Sequence, residues 1–440
     1  MDPQHPQIKD LATADRLLVV SDFDGTLAGH STDIYRVPVN RDSLAALTRL
    51  AGLPGTHVAV LSGRHLEGLT QVCTLCDPVV LAGSHGAESS HGVELTDEMR
   101  AHLDHLTAQL EPIMAGTPGA LVEHKPFQRV AHVAAVADRK VAAELLARAA
   151  GIDTGGARVT PGKNIIEFSV ADVTKGTWIA AEIGRLSPDR ALFLGDDRTD
   201  EDGFHALRPQ DLGVKVGEGD TAAAMRVDGL PDVARVLTEL ADARADHLGI
   251  PRDPAARFGV VAAGFSGEVA RVTDWDAPTP CADWAARDIV DHLLTWYPAN
   301  LRNAGIDLEV PRSGDPAADW TGFVTAVSDL LADPARAEAV VTAGPDEGQT
   351  VARATSGFLI PDIFLHTWDL ARSQGNDAHL NADYAARNLA GLESLGDGLQ
   401  ATGQFGPPHP VAEDAPVVDR LMAHIGRDPQ FRGGATVDPA

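Results

Sequence analysis

Lysine and cysteine are both scarce: the 440 residues hold six lysines (Lys9, Lys125, Lys140, Lys163, Lys175 and Lys215) and 3 cysteines. Three cysteines cannot build a disulfide framework. Cys73 and Cys76 form a single CxxC, yet no second pair completes a zinc site, so they read as ordinary buried thiols. No run of about 18 apolar residues occurs, which excludes a membrane-spanning helix. The opening Met1-Asp-Pro-Gln-His lacks the charged-then-apolar layout of a signal peptide, and a cytoplasmic location is expected. Basic residues are also short: 36 Lys and Arg face 63 Asp and Glu, a formal charge of −27. Nucleic acid and anionic membranes reward a basic surface, so neither is expected as a partner.

What is present is a chain of 44% apolar residues, long enough for two or three domains. Short apolar runs at 16–21, 57–61, 79–82 and 191–194 have the character of buried parallel strands. Helical stretches lie between them, including 41–51 and 177–186. This alternation predicts an α/β Rossmann-like core with ligands at the carboxyl ends of its strands. Between Glu88 and Lys163 the rhythm changes. Helical segments at 96–112 and 138–150 mix with strand-like runs at 120–123, 130–136 and 165–168, as in a smaller inserted α/β domain. From Ala255 the text is almost wholly helical (255–272, 285–304, 317–333, 352–374 and 382–402), the pattern of a helical bundle. The expected division is a core of 1–85 and 165–245, an inserted cap of 86–164, a Gly- and Pro-bearing linker of 246–254, and an all-α domain of 255–440.

Asp22-Phe-Asp-Gly-Thr-Leu27 follows the first strand directly. Two carboxylates two residues apart can face one pocket if the chain turns there, and Gly25 permits the turn. A carboxylate can attack phosphorus in line, which assigns Asp22 as nucleophile and Asp24 as the acid and base. Such a site on so acidic a chain needs a hard cation, and Mg²⁺ is expected. Asp196 and Asp197, after the fourth strand, can supply a further ligand. Lys175 can cancel charge, and Ser62 can donate to a phosphoryl oxygen. Any one of these strings could be a plain turn or a solvated loop; four in order, each at a strand end, favour catalysis.

With these motifs in place, the first half resembles the haloacid dehalogenase superfamily. The string Gly195-Asp-Asp-Arg-Thr-Asp-Glu-Asp-Gly-Phe204 resembles the fourth motif of trehalose-6-phosphate phosphatases. Leu61-Ser-Gly-Arg64, Gly83-Ser-His-Gly-Ala-Glu88 and Gly162-Lys-Asn-Ile-Ile-Glu167 match other segments of that family. The resemblance spans about residues 15–240. It implies Mg²⁺ held by Asp22, the Asp24 carbonyl and Asp196, and a cap whose Glu123, Lys125 and Glu167 recognise a sugar. Arg64, His132 and Lys163 lie in or beside the same segments and join the expected substrate-binding set. Read without the resemblance, Glu123 and Lys125 could equally be an exposed strand ion pair. The sequence departs from the family pattern after Leu27 and at His132, which is followed by Val-Ala.

In the helical half, Asp362 and His366 stand at i and i+4, and His292 lies on an earlier apolar helix face. Two imidazoles and a carboxylate suit Zn²⁺ or another divalent metal; the same residues could also be a core histidine and a helix-surface pair. Trp275-Asp-Ala-Pro-Thr-Pro-Cys281, Trp284, Asp291-His292, His366-Thr-Trp-Asp-Leu-Ala-Arg372 and Gly426-Arg-Asp-Pro429 resemble the mycothiol-dependent maleylpyruvate isomerase and DinB-like family. That resemblance, over about 255–430, implies a four-helix bundle with a divalent metal on His292, Asp362 and His366. Asp362 stands where better-understood members have glutamate.

The expected function is therefore a Mg²⁺-dependent sugar-phosphate phosphatase acting through an aspartyl-phosphate, with a metal-binding helical domain attached. Its partner is a small phosphorylated sugar, joined by a low-molecular-weight thiol at the helical half. The alternative makes that half a thiol-dependent isomerase or transferase and the phosphatase an accessory.

Overall fold

The computed structural model describes residues 6–31, 33, 35–89, 92–162, 164–396, 398–401 and 403–433. Among the described residues ten strands form two sheets: β1 Leu17–Ser21, β2 Thr56–Leu61, β3 Val80–Ala82, β4 Leu121–Lys125, β5 Gln128–His132, β6 Arg158–Gly162, β7 Ile165–Ser169, β8 Arg190–Gly195, β9 Leu212–Val216 and β10 Met225–Val227. Among the described residues no helix is long and apolar enough to cross a membrane.

The larger sheet has the order β10-β9-β8-β1-β2-β3. β1 runs parallel to β8 with Leu18 beside Ala191 and Val20 beside Phe193, and β8 to β9, β9 to β10 and β2 to β3 are parallel as well. All five residues of β1 are buried, as both-sided cover of a parallel strand requires. Strand order reverses around β1, so the loops after β1, β2 and β8 open on one crevice. This core places Asp22, Ser62 and Asp196 at the ends of those three strands.

The smaller sheet is antiparallel, in the order β4-β5-β7-β6, with Glu167 of β7 between Val130 and Thr160. Leu106, Leu110, Leu145 and Ala149 of the helices Asp97–Met114 and Arg139–Ala150 share a core with Ile166 and Phe168. β7 thus belongs to the cap sheet by its hydrogen bonds, beyond the boundary at 164 expected from sequence. The run expected at 130–136 ends as a strand at His132, because Val133 donates to Asn164 and Val136 folds back onto Val133.

The chain divides into two compact units: Asp15–Asn40 with His57–Val233, and Met1–Ala14 with Arg41–Thr56 and Ala234–Ala440. The second unit is helix-rich. Arg244 shows how its distant pieces cohere: the side chain is fully buried and donates to Thr56 Oγ1 and to the carbonyls of Ala12, Ala14 and Pro54. The helix Pro254–Arg271 packs on Arg41–Gly52, where Gly52 leaves room for Ala263; a Cβ on Gly52 would lie 2.8 Å from the alanine methyl. Pro254–Arg271 also touches Pro316–Ala332 and Ile360–Ser373, and Ala286–Leu301 touches the same two helices. Phe265, Trp320 and Phe323 fill the space between, each buried aromatic stabilising by about 2 kcal/mol or more. The stretch expected as one helix over 382–402 stops at Glu393, short of Gly396 with its positive φ.

Candidate functional site

Three carboxylates, Asp22, Asp196 and Asp200, bring ligand atoms within 4.8 Å of one another. Asp22 directly follows β1, its N–H donating to Leu194 O at 2.9 Å, so β8 holds it in place. Gly25 takes a φ of +86°, and a Cβ there would fall 2.1 Å from Asp196 Oδ2. The turn after Asp22 therefore needs glycine twice over, for its backbone and for the approach of Asp196.

Lys175 opens the helix Lys175–Leu186, which Thr174 caps by accepting from Thr177 N–H. Its ammonium is buried between two of the carboxylates, 2.6 Å from Asp22 Oδ1 and 2.7 Å from Asp200 Oδ1. Burial alone would lower the Lys175 pKa; Asp200 and Asp22 overcome it and push the pKa up, so the amine stays charged. Burial pushes the Asp22 carboxyl up, Lys175 pulls it back, and Asp200, Asp196 and Asp197 push it up again.

Asp200 is a residue that sequence reasoning left inside the acidic string without a role. Besides Lys175 it accepts the N–H groups of Asp196 and Asp197, both at 2.9 Å, and it forms a capping box with Asp197 at the start of the helix Arg198–Ala206. Its oxygens are thereby committed to holding the loop. Asp196 differs: its Oδ1 is buried and has no hydrogen-bond partner. Its pKa rises to about 6, by burial first and then by repulsion from Asp200 and Asp197. Lys215 fixes the same loop by donating to the Asp196 carbonyl, and His30 lies 3.6 Å from Asp196 Oδ2. An orphaned carboxylate oxygen among three carboxylates and one ammonium is the environment a hard divalent cation fits.

The other predicted core residues gather around this cluster. Arg64 binds Asp24 through two parallel bonds, from Nε at 2.7 Å and Nη2 at 2.6 Å. Ser62 is buried and accepts from Arg64 N–H at 3.1 Å. The turn Gly83–Gly86 runs alongside, with Ser84 and His85 at φ of +49° and +56°. Left-handed backbone costs a non-glycine residue about 1 kcal/mol. Glu88 steadies this turn by accepting from Ser84 Oγ and from Leu66 N–H.

In the cap, Lys125 Nζ donates to Gly63 O at 3.0 Å and stands 3.6 Å from Glu167. The other Glu167 oxygen faces His85 Nε2 at 3.5 Å. Burial would raise the Glu167 pKa, but His85, Lys125 and Arg158 bring it down to about 2, so it is a carboxylate at neutral pH. Glu123 pairs with His132 at 2.8 Å. Lys163 lies outside the described residues. Cys73 is buried, its thiol pushed to about 11 by burial, whereas Cys76 is exposed, so the two are not the buried pair expected.

The helical unit brings His292, Asp362 and His366 together, with ligand atoms within 4.8 Å. Asp362 lies 3.0 Å from His292 Nε2 and 3.4 Å from His366 Nε2, and accepts from Trp296 Nε1 at 2.9 Å. Trp284 stacks on His366, with ring centroids 5.7 Å apart. Behind His366 lies a further layer of buried polar groups. His366 Nδ1 faces Asp369 at 2.9 Å, and Asp369 accepts from Arg427 at 3.2 Å and from the Cys281 thiol at 3.3 Å. Burial opposes the charge on His366, yet Asp362 and Asp369 raise its pKa to about 10. Asp369 at i+3 from His366 was the available signal; Arg427, far along the chain, carried none.

A family model described as trehalose-phosphatase matches residues 20–228. A trehalose-phosphate phosphatase of Mycobacterium marinum is 35% identical over 250 residues, covering 53% of this chain and 63% of its own length. A trehalose-6-phosphate phosphatase of Escherichia coli is 33% identical over 227 residues, covering 48% of this chain and 82% of its own. The C-terminal domain of a C. albicans trehalose-6-phosphate phosphatase superposes on 53% of this chain and 95% of its own, at 20% identity and a TM-score of 0.48. The share of the Escherichia coli enzyme that aligns, together with its identity, shows that this chain belongs to the trehalose-phosphatase family.

Proposed function

We propose that the α/β half is a Mg²⁺-dependent phosphatase of trehalose 6-phosphate or a closely related sugar phosphate. The observation that carries this reading is the buried Lys175 bridging Asp22 and Asp200 beside an Asp196 oxygen without a partner. Family membership supports the substrate class. By function we divide the chain into a core of 1–85 and 165–245, a cap of 86–164, a linker of 246–254 and a helical domain of 255–440, with β7 at the start of the second core segment hydrogen-bonded into the cap sheet.

Asp22 attacks phosphorus, displaces the sugar alcohol and becomes an aspartyl-phosphate; water then attacks that phosphorus and restores the carboxylate. Asp24 gives its proton to the departing alcohol and takes one from the attacking water. Arg64 grips both Asp24 oxygens in this structure and releases one of them when Asp24 carries the proton. Lys175 and Ser62 balance and orient the transferring group, and a cap bearing Glu123, Lys125, His132, Lys163 and Glu167 holds the sugar while excluding water. Asp22, the Asp24 carbonyl and Asp196 would hold Mg²⁺, which when bound neutralises the charge that phosphate and carboxylates share. Phosphate release from a panel of phosphorylated sugars, with and without Mg²⁺, tests the reading: Asp22→Asn should abolish it and leave the fold intact. Retained activity in that variant would refute the aspartyl-phosphate route.

A second reading concerns the helical half, favoured by the convergence of His292, Asp362 and His366. We read its helices as a four-helix bundle of the mycothiol-dependent maleylpyruvate isomerase and DinB-like kind, holding Zn²⁺ or another divalent metal, with a small thiol as co-substrate. Metal analysis of His366→Ala against the parent decides it; equal metal content removes the site.

A further inference from the structure

One imidazole between the phosphoryl-binding loops and the cap has no part in the reaction scheme above. His85 N–H donates to Ser62 O at 2.8 Å, and Ser84 N–H donates to Arg64 O at 2.6 Å. The turn after β3 is thereby stitched on both sides to the loop carrying Ser62 and Arg64. Ser84 and His85 hold left-handed backbone to do so, the kind of local strain that persists where its surroundings fix it. The ring lies against Gly63: a Cβ there would be 2.8 Å from His85 Cε1 and 3.1 Å from Nε2. The same Nε2 faces Glu167 Oε1 at 3.5 Å. Glu167 in turn meets Lys125 at 3.6 Å, and Lys125 returns to the Gly63 carbonyl at 3.0 Å. Gly63, His85, Glu167 and Lys125 form a closed circuit that joins core to cap, with Ser62 and Arg64 flanking its core end.

We propose that His85 is a positioning residue for sugar recognition: it holds the Glu167 carboxylate in register with the phosphoryl site, so that the sugar is gripped at a fixed distance from Asp22. This rests on the sugar-phosphatase reading. The reasoning is geometric. Glu167 is only 6% exposed and Lys125 alone cannot fix both its oxygens. The imidazole is wedged between Gly63 and the strained turn, so it cannot follow Glu167 if the cap drifts. An ester without a sugar has no use for Glu167 and should not sense His85.

The test compares trehalose 6-phosphate with p-nitrophenyl phosphate, both with Mg²⁺, in His85→Asn. Asparagine tolerates left-handed backbone, so the turn keeps its shape while the reach to Glu167 is lost. The expected result is a fall in kcat/KM for the sugar phosphate of about tenfold or more, mainly through KM, with p-nitrophenyl phosphate within about twofold of the parent. His85→Gln, whose longer amide can reach the carboxylate, should recover most of the loss. In a Glu167→Gln background, His85→Asn should add nothing further. Equal losses on both substrates, or fully additive losses with Glu167→Gln, would overturn the proposal while leaving the phosphatase reading standing. A parent enzyme that cleaves p-nitrophenyl phosphate and no sugar phosphate would overturn both.

Discussion

Two buried clusters in this chain use one electrostatic device with different cations. In the α/β unit an ammonium, Lys175, lies between Asp22 and Asp200 at 2.6 and 2.7 Å. In the helical unit an imidazole, His366, lies between Asp362 and Asp369 at 3.4 and 2.9 Å. Each pair of carboxylates is tolerable in a low-dielectric interior because a positive group stands between them. The cation then decides what the site can become. A charged ammonium has no lone pair, so Lys175 can neutralise but cannot ligate, and any metal must be held by other groups such as the orphaned Asp196 oxygen. An imidazole can keep its Nδ1 proton on Asp369 and exchange the Nε2 proton for a metal ion.

Removing the ammonium is the hardest blow to this comparison. Lys175→Met leaves Asp22 and Asp200 buried without their shared partner, which should cost about 3–5 kcal/mol in urea unfolding. Phosphate release should fall by at least about a hundredfold. An unchanged unfolding midpoint would mean that the Lys175 bridge contributes no net stability.

The helical cluster can be made to imitate the other one. His366→Ala should lose the metal and part of the stability, since Asp362 keeps only His292 and Trp296 as partners and Asp369 only Arg427 and Cys281. His366→Lys should restore most of that stability and none of the metal, because charge returns without a lone pair. Metal analysis and thermal unfolding read the two effects separately, and metal retained by His366→Lys would break the distinction drawn here. A smaller effect is expected from Asp369→Asn. Burial raises the Asp369 carboxyl, but Arg427 and His366 hold it down at about 2, so it is a firm acceptor for the Nδ1 proton. Exchanging that charged acceptor for a neutral amide should weaken metal affinity about 10- to 100-fold in a chelator competition, with His292 and Asp362 untouched.

The phosphatase cluster was the more legible of the two because buried parallel strands write continuous apolar runs, and the acids follow directly on those runs. Asp22, Ser62 and Asp196 could be placed from sequence for that reason. β6 and β9 could not: Arg158-Val-Thr-Pro-Gly162 reads as a loop, and Leu212-Gly-Val-Lys-Val216 carries a lysine inside a buried strand. Asp200 escaped because its role depends on which main-chain N–H groups fold back onto it, something no local pattern records. The grouping of residues 41–56 with the helical unit was hidden for a related reason. A helix Arg41–Gly52 written between two core strands reads as core, and only the fit of Gly52 to Ala263 shows what it packs on. In the helical half, i and i+4 spacing pointed to Asp362 and His366, while Arg427 reaches Asp369 across 58 positions of chain.

The smallest expected effect separates the clusters by pH. Burial raises the Asp196 carboxyl to about 6, and repulsion from Asp200 and Asp197 adds to it, with His30 and Lys175 pulling the other way. A raised carboxyl means that the folded chain binds this proton more tightly than the unfolded chain does. The resulting stability is complete below about pH 4 and is lost as pH rises through about 6, amounting to about 3 kcal/mol. A cation that takes the proton's place should return it. Added Mg²⁺ should therefore raise the unfolding temperature of the α/β unit by a few degrees at about pH 7.5 and hardly at all at about pH 5. Asp196→Asn should abolish the Mg²⁺ response and remove its own share of the pH slope, and His366→Lys should alter neither in the α/β unit. An equal Mg²⁺ response at both pH values would show that proton and cation do not compete for Asp196, and the metal would have to be held elsewhere.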